Sequence, residues 1–294
     1  MRLEEVILIK KILVLGDTGK MGTALKQVFT KDCCYQVVGK SSIDFNAANF
    51  EEVRNLICKT MPDIVVNTIA FTGIDQCEQE PARAFQLNAF LPRLLAQLSN
   101  KKSFVLVHFS TDAVFQDAPI GSVYTEQDIP CPLNIYGLSK FGGDCFIQNI
   151  ASQYIVIRIG ILFGATNKTT QFVEKMLKRI QDGQKQLRIS ADVVSSPCYS
   201  LDIAEALKNM LEGSYSSGLY HVVNSGQASL FDLLKEIIEN LNIQVEIEKA
   251  LSSEFPYHEV KNKYTPIRSV KAPSLRPWQD AVKEYCKQIN VEGD

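Results

Sequence analysis

Tyr136 and Lys140 stand four residues apart, Tyr-x-x-x-Lys, where a helical pattern begins. Residues four apart share one face of a helix. A phenol loses its proton near pH ~10, and a neighbouring ammonium favours the phenolate and lowers that value. So placed, the pair could exchange a proton with a bound oxygen near neutral pH. The spacing alone is common by chance. It gains weight from Ser110-Thr111-Asp112, which directly follows the apolar strand Phe104–Phe109 and so lies at its carboxyl end. Thr111 would donate to the same oxygen that Tyr136 protonates, two hydroxyls meeting the charge that grows there. The plainer reading is that Thr111 caps a turn and Asp112 a helix.

A third motif opens the chain. Gly16-Asp17-Thr18-Gly19-Lys20-Met21-Gly22 follows a short apolar strand and leads into a helix. Its glycines allow a tight turn and let a pyrophosphate approach the backbone, while the helix amino terminus offers free N–H groups. This predicts dinucleotide binding, with hydride passing from a nicotinamide to a ketone carbon. Lys140 could then also bond the nicotinamide ribose. A bare strand-to-helix turn would carry the same glycines. The second strand should end near Val38, where a carboxylate would bind the ribose 2′-OH and select NAD. Gly39-Lys40-Ser41-Ser42 stand there instead, and the nearest acid is Asp44. Lys40 and Ser41 are expected to meet a 2′-phosphate, so NADPH is the expected cofactor and NADH the alternative. Otherwise Lys40 is a solvated turn residue.

The elements that must position these residues are legible as apolar runs. Strands are predicted at Lys11–Gly16, Tyr35–Val38, Asp63–Thr68, Phe104–Phe109 and Tyr154–Ile159. Helices are predicted at Met21–Phe29, Phe50–Lys59, Ala82–Leu98 and Leu138–Ser152. Strands apolar throughout and separated by helices imply a parallel sheet covered on both faces. The fold class is α/β, a doubly wound Rossmann sheet with ligands at the carboxyl ends of its strands. After Gly164 the pattern loosens. Helices are expected at Thr170–Asp182, Leu201–Leu211, Leu230–Leu241 and Trp278–Gln288, strand-like runs at Gly218–Val223 and Gln244–Glu248, and loop over Ser252–Arg276. The expected organisation is a nucleotide-binding core over 11–164, to which 201–223 returns. A smaller substrate-binding region takes 165–200 and 224–294.

Composition sets limits on partners. The 294 residues carry a formal net charge of -2 and no basic block. That argues against nucleic acid or an anionic membrane surface as the main partner. No segment approaches the ~20 uninterrupted apolar residues of a membrane span. The start is a poor signal peptide, its apolar run reaching only from Val6 to Ile9. A cytoplasmic location is expected. Eight scattered cysteines include no C-x-x-C pair and read as reduced thiols, and His108, His221 and His258 are not spaced as metal ligands. No metal is expected.

Taken together, these motifs resemble the extended short-chain dehydrogenase/reductases, and among them the dTDP-4-dehydrorhamnose reductase family. The resemblance covers most of the chain: Gly16–Gly22, Val66–Asp75 with Glu78 and Asn88, and Phe109–Phe115. It continues through Tyr124-x-Glu126-x-Asp128, Pro132–Lys140, Arg158–Gly164, Ser196–Ala204, Gly218–His221 and Leu275–Ala281. It implies reduction of the 4-keto group of a nucleotide-linked 6-deoxyhexose by a nicotinamide cofactor, in surface polysaccharide synthesis. Thr111, Tyr136 and Lys140 would be the catalytic trio. Gly16, Gly19, Met21 and Gly22 would wrap the pyrophosphate, together with Thr18 and Lys20 of the same loop. Ala70, Phe71 and Thr72 would line the path to the nicotinamide, buttressed by Asn88, with Ser110 beside it. The sugar nucleotide would meet Thr72, Thr111, Ala113, Phe115 and Ile161. Gln171 and Phe172 would begin a helix over the nucleotide. For the substrate's pyrophosphate, Arg268, Lys271 and Arg276 are the available cations, Arg268 foremost.

The chain also departs from the family pattern. Ala113 and Ile161 replace a tyrosine and a tryptophan that flank the sugar, which would enlarge or reshape the pocket. Ala24 lies where metal-bridged dimers of the family carry a carboxylate, so a monomer or a dimer without bridging metal is expected. Two other readings compete. An epimerase or dehydratase on this scaffold would need acidic residues beside the threonine, and here Asp112 is followed by Ala113-Val114. A non-catalytic, cofactor-binding regulatory subunit would keep the fold and lose substrate contacts, in line with Ala113 and Ile161.

Overall fold

The computed structural model describes residues 9–166, 168, 171–213, 215–255 and 260–291. Most of the apolar run that begins at Val6, together with Thr170 and His258, lies outside the described residues. The first half alternates strand and helix. It runs β1 (Lys10–Leu15), α1 (Lys20–Phe29), β2 (Tyr35–Lys40), α2 (Phe50–Thr60), β3 (Ile64–Asn67), α3 (Ile74–Gln79), α4 (Pro81–Phe85), a π turn (Gln86–Phe90) and α5 (Leu91–Lys102). Then come β4 (Val105–Thr111), a 3-10 turn (Asp112–Val114), α6 (Ile135–Ile150), β5 (Tyr154–Ile159) and β6 (Ile161–Phe163). The second half holds α7 (Phe172–Gln181), β7 (Gln186–Ser190), β8 (Val194–Ser195), β9 (Pro197–Tyr199), α8 (Ser200–Glu212), β10 (Gly218–His221), β11 (Asn224–Ser225) and β12 (Ala228–Ser229). It ends with α9 (Leu230–Asn240), β13 (Glu246–Ala250), β14 (Leu275–Pro277) and α10 (Trp278–Val291).

Six strands form one parallel sheet in the order β10-β5-β4-β3-β1-β2. The connection direction reverses between β1 and β3, and the register sets Leu15 beside both Lys40 and Asn67. A crevice therefore opens beyond Gly16 and Thr68, the topological switch at which such sheets bind ligands. Strand periodicity divides the core into two layers. Ile12, Val14, Ile64, Val66 and Val107 pack with α1 and α8 on one face. Leu13, Leu15, Val65 and Leu106 pack with α2 and α5 on the other. Each layer is apolar because both faces of the sheet are covered.

Several boundaries differ from the pattern reading. The helix expected over Ala82–Leu98 is α4, a π turn and α5, preceded by the short α3. The break has a cause. Asn88, fully buried, accepts from the Phe71 N–H at 2.8 Å and donates to the Phe71 carbonyl at 2.9 Å and to Ser139 at 3.0 Å. Pro92, at the start of α5, has no N–H to give to the turn before it, which breaks the regular helical ladder at Asn88. β4 runs on through Thr111, so Ser110 and Thr111 end the strand rather than follow it. α6 begins at Ile135, which puts Tyr136 inside its first turn. β7 was missed, and its partner β13 begins two residues later than the strand expected from Gln244.

Candidate active site

The cleft that gathers the chemistry has a volume of about 910 Å³. Its floor is the end of β4 and the start of α6. Asn134 caps α6 by accepting from the Gly137 N–H at 2.9 Å. Gly137 lets that first turn sit directly on the 3-10 turn, since a Cβ there would lie 2.1 Å from the Ala113 carbonyl oxygen. Ser139 donates to the Tyr136 carbonyl at 2.9 Å. Cap, close approach and serine together deliver Tyr136 beside Thr111 and Ala113 in the cleft wall. Thr72, Ile161, Gln171 and Phe172 line the same cleft.

The electrostatics correct the first expectation about the Tyr136–Lys140 pair. Lys140 is buried, and its Nζ donates to the Phe109 carbonyl at 2.6 Å and lies 3.3 Å from His108 Nε2. The ammonium is turned into β4 because a buried donor must find an acceptor. Burial lowers the Lys140 pKa to about 8, with Asp144 opposing. Tyr136 is not pushed down. Burial raises it to about 12, opposed by a hydrogen bond with Thr111 and aided by the charge of Asp112. Thr111 itself donates to Asp112 Oδ1 at 3.2 Å and accepts from the Ala113 N–H at 3.1 Å. Asp112 Oδ2 also accepts from Ser195 and, at 2.8 Å, from Thr265. Asp112 is thus a clamp between β4 and the second half of the chain, beyond the helix cap read from its position.

The glycine loop lies across the switch point. A Cβ on Gly22 would meet the Gly16 carbonyl oxygen at 2.4 Å. Backbone cannot move aside cheaply, so Gly22→Ala is expected to lower stability by about 1–3 kcal/mol. A urea melt that matches the parent would show that the loop has slack. Three readings for this loop change. Lys20 is buried, pairs with Glu174 at 2.8 Å and donates to the Leu162 carbonyl at 3.0 Å, so it ties α1 to α7 and is not a free phosphate donor. The side chain of Met21 is core, leaving only its backbone to face a ligand. Thr18 is exposed and accepts from Lys168 at 2.9 Å. At the end of β2, Lys40 Nζ binds Asp44 at 2.9 Å and the Ser41 N–H binds the same carboxylate at 2.8 Å. Both groups expected to meet a 2′-phosphate therefore hold Asp44 in this structure. Ala70 and Phe71 lie in the loop after β3, half-buried, while Asn88 and Ser110 are buried behind the site.

Other substrate-side readings also change. Phe115 is fully buried, stacked on Tyr124 with ring centroids 4.2 Å apart, and is core. Arg268 lines a separate cavity of about 440 Å³ with Asn224 and Gly226. Arg276 is held by Asp202 through two bonds, at 2.8 and 2.7 Å, and Lys271 reaches the Leu219 carbonyl at 3.2 Å. Among the described residues, the cations lining the cleft are Lys168 and Lys175. Sequence reading missed them, although Lys175 sits one turn beyond Gln171–Phe172 and could have been found from helical spacing. Glu126 and Asp128 hold backbone, Glu126 from His221 at 2.8 Å and Val270 at 2.9 Å, Asp128 from Thr125 at 2.6 Å. Ala24 packs inside the α1 core and not on an outer face.

Comparison with known proteins agrees with this architecture. Residues 10–291 match the family described as the RmlD substrate binding domain. The spore coat polysaccharide biosynthesis protein SpsK of Bacillus subtilis is 32% identical, over 95% of this chain and 97% of its own. The dTDP-4-dehydrorhamnose reductase of Mycolicibacterium smegmatis is 28% identical, over 96% and 87%. The crystal structure of dTDP-4-dehydrorhamnose reductase from Bacillus anthracis in complex with NADP superposes with a TM-score of 0.88 at 25% identity, covering 95% of this chain and 99% of that one. The match over nearly the whole chain, on a doubly wound sheet with its tyrosine and threonine in one cleft, establishes that the chain belongs to the RmlD substrate binding domain family.

Proposed function

We propose that the protein is an NADPH-dependent reductase of the 4-keto group of a nucleotide-linked 6-deoxysugar, forming dTDP-rhamnose from dTDP-4-dehydrorhamnose for surface polysaccharide synthesis. The observation that carries this reading is the convergence of Thr111 and Tyr136 on one cleft, with Lys140 a helical turn behind. Family membership and the names of the relatives support it. The glycine loop fits a dinucleotide, because Gly22 lets α1 start directly against the Gly16–Asp17 backbone, where a Cβ would meet the Gly16 carbonyl oxygen at 2.4 Å, and the first N–H groups of α1 have no partner within the helix. When bound, the reduced nicotinamide supplies hydride to the ketone carbon. The remaining work belongs to the chain. Tyr136 gives its phenolic proton to the ketone oxygen. Thr111 swings its hydroxyl hydrogen from Asp112 to the same oxygen. Lys140, as ammonium, orients the cofactor ribose. Lys168 and Lys175 neutralise the substrate's pyrophosphate.

In this reading 11–164, with 201–223, holds the cofactor, and 165–200 with 224–294 holds the sugar nucleotide. The protein acts in the cytoplasm as a monomer or a homodimer without bridging metal, and nucleic acid and membrane are not its partners. Among the described residues no helix is long and apolar enough to cross a membrane.

The test mixes protein, NADPH and dTDP-4-keto-6-deoxy-L-mannose and follows absorbance of the reduced nicotinamide. Cofactor that binds but is never oxidised, over a panel of nucleotide 4-keto sugars, would replace this reading with a non-catalytic one. Two further outcomes are expected. Because Lys140 works as an ammonium and titrates at about 8, kcat/KM falls as pH rises through that value. A profile flat to about pH 10, the ordinary range of a lysine, would show that its charge is not used. Lys40→Ala shifts preference from NADPH toward NADH by only about two- to fivefold, the effect of an exposed charge worth about 0.5–1 kcal/mol. Unchanged preference on side-by-side titration would remove Lys40 from the cofactor site.

A further inference from the structure

Behind the catalytic helix a buried chain of polar groups ends on Lys140, and the mechanism above gives its other members no role. The Ile69 N–H donates to Asn67 Oδ1 at 3.1 Å. Asn67 Nδ2 lies 3.1 Å from His108 Nδ1, and His108 Nε2 lies 3.3 Å from Lys140 Nζ. Lys140 donates onward to the Phe109 carbonyl at 2.6 Å. Asn67 and His108 are fully buried, and neighbouring register on β3 and β4 pairs them.

The direction of this chain is fixed from one end. A backbone N–H can only donate, so the amide oxygen of Asn67 must face Ile69 and its NH₂ must face His108. His108 Nδ1 is therefore the acceptor. Burial holds His108 neutral, well below the ordinary imidazole range. Its single proton must then sit on Nε2, facing Lys140. An amine can accept that proton's hydrogen bond. An ammonium has no lone pair to do so.

We infer that Asn67 and His108 are positioning residues for Lys140, whose one-way hydrogen-bond chain favours its amine and ties its protonation to the loop that begins at Thr68. To become an ammonium, Lys140 must force His108 into the other tautomer. That tautomer sets Nδ1–H against the Asn67 NH₂, and relief requires the amide to turn and release Ile69. A buried donor left unmatched carries a cost, so the chain adds to burial in lowering the Lys140 proton affinity. The released segment is the start of the loop carrying Ala70, Phe71 and Thr72. The other charged and titratable groups around α6 are few. Tyr136, Asp144 and Cys145 lie on the helix itself, with Arg158 on β5 paired to Asp144 at 3.0 Å. Asp112 comes from the 3-10 turn, and Cys77 and Glu78 from α3. α4 and α5 carry Arg83, Arg93, Lys101 and Lys102 on exposed faces.

This inference rests on the proposed function only in treating Lys140 as a working residue, and its first test needs no turnover. In protein labelled with ¹⁵N-histidine, long-range ¹H–¹⁵N spectra at about pH 9.5, where an amine titrating at about 8 is unprotonated, report the tautomer of His108. Loss of its signals in His108→Gln assigns them. The Nε2–H tautomer is expected, and the Nδ1–H tautomer would overturn the chain. The second test is Asn67→Asp, whose carboxylate can accept from Ile69 and from His108 Nδ1–H together. It should convert His108 to the Nδ1–H tautomer and move the alkaline limb of kcat/KM upward by about one pH unit or more, a tenfold or greater change in proton affinity. A limb that moves while the tautomer stays would mark a simple charge effect and reject the directional chain. If Asn67→Asp does not fold, the parent spectrum alone decides.

Discussion

Tyr136→Phe is expected to lower kcat by about 10²–10⁴-fold, the usual contribution of a positioned proton donor. The phenol acts only as charge develops on the ketone oxygen, so kcat and kcat/KM should fall together. Cofactor affinity should stay within about twofold of the parent, since the phenyl ring keeps its place against the Ala113 turn and only an oxygen is lost. The ordinary state of Tyr136 in the structure supports this assignment. Its proton is held up to about 12 by burial, so the resting residue is a stored acid. Steady-state rates with the nucleotide 4-keto sugar, beside a fluorescence titration with NADPH, separate the two effects. Turnover within a few fold of the parent would mean that another group protonates the oxygen.

Arg158→Met is expected to lower stability by about 3–5 kcal/mol, the range for removing one partner of a buried ion pair. Arg158 lies on β5, bonds Asp144 at 3.0 Å and sits over the Phe115 ring at 5.2 Å, while Asp144 is fully buried. Methionine fills the volume but leaves the carboxylate alone. Burial already pushes the Asp144 carboxyl up, and Arg158 leads the groups that oppose this. Without the guanidinium its folded pKa rises further above the unfolded value. The folded variant then binds more protons than the unfolded chain, so its stability falls as pH rises through the acid range. Urea melts should accordingly show a larger deficit at pH ~8 than at pH ~5. A deficit below about 1 kcal/mol at both would place this pair with the surface bridges.

Much of the fold was readable because its signals are local. The apolar runs of β1, β3, β4 and β5 must be strands buried on both faces, and the glycine loop must follow the first of them. Motif order placed Thr111 and Tyr136 at one end of the sheet. Helix boundaries were less secure where a single side chain overrides propensity. Asn88 lies in a π turn and bonds Phe71, a residue seventeen positions away, and no periodicity records that contact. β7 escaped notice because its partner β13 lies some sixty residues further on.

The charged residues divide most clearly. Residue type and spacing determined which groups could do chemistry: a phenol, a hydroxyl, an amine and a glycine cradle in the order that a hydride-transferring sheet requires. Tertiary structure alone decided which of them are free to do it. Lys20 is committed to Glu174 and Arg276 to Asp202, partners remote in sequence, while Lys40 is held by Asp44 only four residues on. Arg268 lines a second cavity, and Lys175 enters the cleft instead. Lys140 is bonded to Phe109 and His108 because burial obliges an ammonium or amine to satisfy its hydrogen bonds wherever β4 offers them. Composition lists the charges available. Only packing, by excluding water and fixing partners, determines which of them remain able to meet a ligand.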